Sequence, residues 1–340
     1  MLRLEAFTQG KSRKFPDRNE DSFVLMPGLG YAVIDGVTDR NGSSYDGMLS
    51  GRFASQITKR AIETFLLAQT DPSQSRLHFD AIGAIGMVRF LTASIHSQYE
   101  KFGVTQAAQA DWQRRAACAF AAAIVIGDRM DTVSVGDCGL RINLDATHQS
   151  LKPLDDIAAL LRLEAWRHFE RLGMSASECS RLALQVARLG TDTRVEIIEH
   201  TTAAVLSQIE KTVLGECCRR YPEAPPSEIQ ELLRGGFLYA QGSFQNVDDR
   251  YLAYGALDGF QVPEKFIDFR SYALQDIAVV ELFSDGYFSC GSGFGVDAWE
   301  KAFQEVEARD PHKIGDYMST KGSTAESYTD DRTYVGVRLR

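Results

Sequence analysis

The 340-residue chain has little of what several protein classes require. It contains six cysteines, Cys118, Cys138, Cys179, Cys217, Cys218 and Cys290, and no Cys-x-x-Cys pair among them. Its six histidines form no His-Glu-x-x-His or Cys₂His₂ spacing, which disfavours zinc. Cys118 sits inside an apolar run and reads as a small buried residue. The adjacent Cys217 and Cys218 would bridge only with strain and read as a helix-end pair. His148 and His200 have no partner spacing. Basic residues are also scarce: 37 Lys and Arg against 46 Asp and Glu give a net charge of −9 and a pI near 5.3. A general phosphate-backbone binder needs a basic face, so nucleic acid is not an expected partner. The longest apolar run, Ala116–Gly127, is too short to cross a bilayer, and Met1-Leu2-Arg3-Leu4-Glu5 lacks the apolar core of a signal peptide. A reduced, cytoplasmic protein away from membranes is the expectation.

What is present suffices for a large core. Hydrophobic residues make up 44% and aromatics 10%, which excludes global disorder. Leu2–Phe7 reads as a first strand, and Ser22–Met26 with Tyr31–Ile34 as a hairpin around Pro27-Gly28-Leu29-Gly30. Asp35–Gly47 is a loop of functional length. Phe53, Ile57, Ala61 and Phe65 recur at helical spacing, and Leu77–Phe102 is a second helix. Ala116–Ile126 and Thr132–Val135 read as paired strands, the first uniformly apolar as if buried on both faces, with a buried helix left open as the alternative for Ala116–Ala123. Arg141–Leu144 extends the meander. From Pro153 the pattern turns helical, with a stripe from Leu154 to Leu172, a helix from Ser175, and a third carrying Ile198, Val205, Ile209 and Val213. Tyr221–Pro226 closes that block. Strands resume at Ile277–Phe283, helices cover about Ala298–Val306 and His312–Met318, and Thr333–Leu339 alternates cleanly. Two β-rich flanks around helices indicate an α+β layered fold with a helical insertion at about 153–235.

Five short acidic segments punctuate this pattern: Asn19-Glu20-Asp21-Ser22, Asp35-Gly36, Gly136-Asp137, Ser284-Asp285-Gly286 and Asp330-Asp331. Most lie where a strand breaks into a loop. Carboxylates there suit hard, oxygen-ligated cations such as Mg²⁺ or Mn²⁺. Any one Asp-Gly is an ordinary turn, but five that could converge suggest a metal centre. A local basic patch of Lys11, Arg13, Lys14 and Arg18 precedes the first segment. Cys290–Gly295 has nucleotide-loop glycine spacing without the Lys-Ser/Thr, and reads as a plain loop.

The order of these segments resembles the type 2C metal-dependent protein phosphatases, over about Leu2–Leu144 and Tyr251–Arg340. The resemblance implies a single domain, 1–340, built as a four-layer α-β-β-α sandwich of two antiparallel sheets flanked by helices. It implies two Mg²⁺ or Mn²⁺ ions and a third site. Asp35 would be shared by two ions, Glu20 and the Gly36 carbonyl would hold one, and Asp285 and Asp330 the other. Asp137 with Asp285 would take the third, and Asp21 would act through a coordinated water. Such a centre suits hydrolysis of phosphate monoesters on phosphoserine and phosphothreonine by direct attack of water. Family members place a phosphate-gripping Arg a few residues before Asn-Glu-Asp. Here Pro16 holds that offset, leaving Arg13 or Arg18. The Val37-Thr38-Asp39 that follows Asp35-Gly36 brings no His general acid. The implied partners are a phosphorylated protein and the Ser/Thr kinase system that makes it. Two rivals stand beside this reading, a catalytically silent module of the same fold and a Mg²⁺-dependent hydrolase of a small phosphate ester. The insertion carries none of the acidic segments, so it is expected to serve substrate choice or regulation.

Overall fold

Alternation along two strands explains the architecture of the first half of the chain. In the computed structural model, which describes residues 2–38, 43–45, 47–193 and 198–340, the elements begin with β1 (Arg3–Gln9), β2 (Ser22–Met26) and β3 (Gly30–Gly36). A small ribbon, β4 (Ser44–Tyr45) and β5 (Met48–Leu49), leads into α1 (Ser50–Ala68), α2 (Phe79–Phe102) and α3 (Thr105–Ala110). Next come β6 (Cys118–Ile126), β7 (Arg129–Val135), β8 (Gly139–Ile142) and β9 (Ala146–His148). Four helices follow: α4 (Pro153–Arg171), α5 (Ala176–Leu189), α6 (Ala203–Arg220) and α7 (Pro226–Tyr239). The described elements end with β10 (Asp268–Ala273), β11 (Val279–Phe283), α8 (Val296–Arg309) and β12 (Arg332–Arg338).

The chain divides into two units. One holds Met1–Leu151, Gly255–Glu305 and Asp330–Arg340, the other Lys152–Tyr254 and Val306–Thr329. In the first unit two five-stranded antiparallel sheets run in the orders β1-β12-β11-β8-β9 and β10-β7-β6-β3-β2. Successive strand residues face opposite sides. Tyr31 and Val33 of β3 and Ala119, Ala121 and Ala123 of β6 therefore meet Leu140, Val280, Leu282, Val335 and Val337 of the other sheet. The intervening residues Ala32, Ile34, Phe120, Ala122 and Ile124 pack under Phe53, Ile62, Phe65, Leu91 and Ile95 of α1 and α2. The strand β6 is thus apolar throughout because both its faces are covered, which settles the strand-or-helix ambiguity of that run. Each fully buried Val, Leu, Ile or Phe among these side chains contributes roughly 1.5–3 kcal/mol of transfer free energy.

The outer face of the other sheet is covered differently. Glu281 of β11, fully buried, accepts hydrogen bonds from Tyr334 Oη at 2.6 Å, Trp299 Nε1 of α8 at 2.9 Å and Arg141 Nε of β8 at 2.7 Å. Arg141 also donates to the carbonyls of Gly291 and Gly293 at 2.6 and 2.9 Å. That pins the Cys290–Gly295 loop behind the Ser284-Asp285-Gly286 segment. Within this unit the layers run helix, sheet, sheet, helix. The edge strand β10 had no sequence signal, because most of its residues are exposed and do not alternate.

The second unit contains the helices expected within the insertion, and others. Ile198 is not part of α6: Thr202 caps that helix, its hydroxyl accepting from Val205 N at 3.2 Å. Tyr221–Pro226 does not end the helical block, since Pro226 opens α7 at a first-turn position where its missing N–H costs nothing. His312–Met318 is not a helix. The Asp310 carboxylate accepts from the amides of Ile314, Gly315 and Tyr317 at 3.1, 2.9 and 3.1 Å, taking donors a helix would use. Arg162, fully buried, donates to the carbonyls of His312, Lys313 and Ser319. Burial pulls its guanidinium down to about 10, against the pull of Asp310.

Candidate metal centre

Strand parity places Asp35 on the same face of β3 as Tyr31 and Val33, between the sheets at the end of the strand. Its register partner on β6 is Ala119. Asp137 lies in the turn between β7 and β8, its carbonyl accepting from Gln149 Nε2 at 2.8 Å. Asp285 follows the end of β11. One carboxylate oxygen from each of Asp35, Asp137 and Asp285 lies within 4.8 Å of the others. Three segments separated by a hundred residues or more of chain thus deliver acids to one point.

A second group lies beside the first. Lys11 Nζ donates to Glu20 Oε2 at 2.9 Å, Asp330 Oδ1 at 3.2 Å, Asp331 Oδ2 at 3.1 Å and Thr38 Oγ1 at 2.8 Å. Asp331 is tied further: its carboxylate accepts from the amides of Lys11 and Glu20 at 2.6 and 3.3 Å. Gly286 makes the approach of two acidic segments possible. A Cβ there would sit 2.0 Å from the carbonyl oxygen of Asp331. Asp21 is held by Ser284, whose hydroxyl donates to Asp21 Oδ2 at 2.8 Å and accepts from Thr333 N at 2.8 Å. Asn19 sets the turn, accepting from Asp21 N at 2.9 Å and donating to Thr8 Oγ1 at 2.6 Å.

The electrostatics of the two groups are strained in the same direction. Burial, and then the charges of Asp21, Asp137 and Asp330, push Asp35 well above the usual carboxylate range. Asp285 is raised by burial and by Asp35, Asp137 and Asp330. Both carboxyls are thus driven toward the protonated form while no cation lies between them. Asp21 is raised by burial and by Asp331, and Glu20 by burial against the opposing pull of Lys11. Burial alone would lower the Lys11 ammonium, but Asp330, Glu20 and Asp331 outweigh it and hold it well above its ordinary value.

These donors fit a divalent cation. Glu20 Oε1, Asp21 Oδ1 and Asp285 Oδ1 are buried and have no hydrogen-bond partner. An uncompensated buried carboxylate oxygen is costly, and a single ammonium does not balance these acids. All the side-chain donors are hard oxygens at strand ends, the set that suits Mg²⁺ or Mn²⁺.

Of the residues singled out in the sequence, Glu20, Asp21, Asp35, Gly36, Asp137, Asp285 and Asp330 all lie at this end of the sandwich. Arg13 and Arg18 are exposed on the loop before Glu20, with the Arg18 guanidinium 4.5 Å from the centre of the Phe15 ring. Lys11 is not part of a solvated basic patch; its ammonium lies among the carboxylates of the acidic cluster. Its role carried no sequence signal, since nothing in Gly10-Lys11-Ser12 separates it from Arg13 and Lys14. Asp331 was visible only as the neighbour of Asp330. Asp39, after Val37-Thr38, lies outside the described residues.

No known sequence family and no curated protein matches the chain. Solved structures similar to it include the Mycobacterium tuberculosis serine/threonine phosphatase PstP/Ppp, at 16% identity over 100% of this chain and 99% of that one, with a TM-score of 0.44. Another is serine/threonine phosphatase Stp1 from Staphylococcus aureus, at 12% identity, covering 100% and 96%, with a TM-score of 0.46. A third is the catalytic domain of PstP in complex with two manganese ions, at 15% identity, covering 99% and 97%, with a TM-score of 0.44. Identity this low leaves function to the chemistry of the site. Over nearly its whole length, then, the chain is similar to solved serine/threonine phosphatases.

Proposed function

We propose that this chain is a Mg²⁺- or Mn²⁺-dependent phosphatase of type 2C that hydrolyses phosphoserine and phosphothreonine in proteins. The observation that carries the reading is the convergence of Asp35, Asp137 and Asp285 within 4.8 Å, beside buried carboxylate oxygens that have no partner. Asp35 would be shared between two ions, with Glu20 and the Gly36 carbonyl on one and Asp285 and Asp330 on the other. Asp137 would join Asp285 at a third position, and Asp21 would orient a water. Divalent ions held there lower the pKa of a water and offset charge on the phosphoryl oxygens.

The remaining work falls to the chain itself. Ser284 and the backbone around Asn19 fix the direction of Asp21. The Glu281–Arg141 pair holds the Cys290–Gly295 loop that follows Asp285. Arg13 or Arg18, on the exposed loop, would grip the phosphoryl oxygens, a task suited to a planar fork of donors. Water attacks the phosphorus directly, so no Cys or Ser nucleophile is needed, and none of the six cysteines is assigned a catalytic role.

The test is hydrolysis of p-nitrophenyl phosphate and of a phosphothreonine peptide after EDTA stripping, with Mn²⁺ restored. Activity should return with the ion in the wild type and not in Asp35→Asn, whose circular dichroism should be unchanged. Wild-type turnover in Asp35→Asn would refute the assignment. Cleavage of nucleotides or small esters without the phosphopeptide would move the substrate class.

A further inference from the structure

Lys11 is placed as a cation would be. Its ammonium contacts three carboxylates and a hydroxyl at 2.8–3.2 Å, and two of those carboxylates, Glu20 and Asp330, belong to the set assigned to the ions. The Glu20 side chain is 2% exposed, and its second oxygen, Oε1, has no partner. The Lys11 side chain itself is 22% exposed, so the ammonium has a path toward solvent along its flexible stem. Lysine suits such a role because its charge is compact and its stem can swing, whereas an arginine fork would lock onto a carboxylate.

We infer that Lys11 is a tethered competitor for the divalent ions: its ammonium holds Glu20, Asp330 and Asp331 together when metal is scarce and must leave as ions enter at Glu20 and Asp330, each a ligand to one of the two ions that would share Asp35. The inference rests on the metal-centre reading of this site. It adds that loading at Glu20 and Asp330 responds to free metal concentration over a range set by the lysine. The third position, Asp137 with Asp285, includes none of the carboxylates to which Lys11 is seen to donate among the described residues, and it fills without displacing the lysine. The ammonium occupies Glu20 Oε2 and Asp330 Oδ1, so an ion that coordinates those oxygens takes the acceptors that hold the lysine in place.

The experiment measures Mn²⁺ binding by titration calorimetry on the EDTA-stripped full chain, wild type against Lys11→Met, which keeps the length of the side chain and removes its charge. The wild type should show two classes of site. In Lys11→Met the number of ions should be unchanged and the weaker class should tighten at least about tenfold. Identical isotherms would overturn the role of Lys11 alone, and so would an additional ion in the variant, which would make the lysine a permanent substitute for metal. Absence of Mn²⁺ binding in both proteins would overturn the metal-centre reading itself. A second measurement needs no variant. Amine acylation of the wild type, read by peptide mass spectrometry, should label Lys11 more slowly than the exposed Lys14 in EDTA. Saturating Mn²⁺ should speed labelling of Lys11 and leave Lys14 unchanged. Lys11 labelling that ignores Mn²⁺ would overturn the inference.

Discussion

Replacing Asp285 by Asn should make the metal-free protein more stable while removing its response to metal. Oxygens of Asp285, Asp35 and Asp137 lie within 4.8 Å of one another, and at that separation each ionised pair costs roughly 3 kcal/mol at an effective dielectric constant near 20. Burial and the neighbouring charges raise both Asp35 and Asp285, so the pair escapes part of that cost by binding a proton. Asn offers a donor amide in place of the Asp285 carboxyl and cannot ionise. The gain is then what remains of the repulsion, about 1–3 kcal/mol at pH 7. The sign with pH follows from the direction of the shifts. Asp35 and Asp285 both sit above their unfolded value of 3.8, so the stability they lend is complete below 3.8 and is lost as pH rises through the raised folded values. Metal-free wild type should therefore weaken with rising pH in that window, and Asp285→Asn should weaken less. Thermal and urea melts in EDTA from pH 4 to 8 read both effects. With Mn²⁺ at a hundred times its dissociation constant the wild type should gain about 2.7 kcal/mol, and the variant far less. A variant less stable than wild type in EDTA, or one that gains as much from Mn²⁺, would refute the reasoning.

Three other outcomes follow from the geometry. In Gly51→Ala the new Cβ would sit 2.3 Å from the Val37 carbonyl oxygen and 2.8 Å from Glu20 Oε1, so the start of α1 must shift. Urea melts should show a loss of about 1–3 kcal/mol, with weaker Mn²⁺ binding. Arg141→Met strands the buried Glu281 charge and should cost about 3–5 kcal/mol, much of it recovered when Glu281→Gln is added. If Arg13 or Arg18 grips phosphate, its change to Ala should raise KM at least tenfold with Lys rescuing only partly, and unchanged kinetics in both single variants and the double variant would assign the loop to solvent.

Local pattern alone determined a good deal of this protein. The hairpin of β2 and β3 around its Pro-Gly turn, the alternation of β12, the uniformly apolar β6 and the 3.6-period stripes of α1 and α4 are legible because turn residues and apolar spacing are local properties of the chain. The acidic segments stood out because most of them lie at the edge of such a run, so strand ends marked the residues now found at one end of the sandwich. Elements without burial periodicity stayed hidden. The exposed edge strand β10 reads as loop, and His312–Met318 reads as helix until the Asp310 carboxylate takes its amides. Tertiary structure decided which acids meet, since the distance between Asp35 and Asp285 depends on sheet order and not on spacing in the chain. It also decided the role of Lys11. Three basic residues within four positions look alike in sequence. Only the folding of Asp330 and Asp331 back against the Glu20 turn gives one of them carboxylates on several sides, and a charge takes its meaning from the charges that surround it.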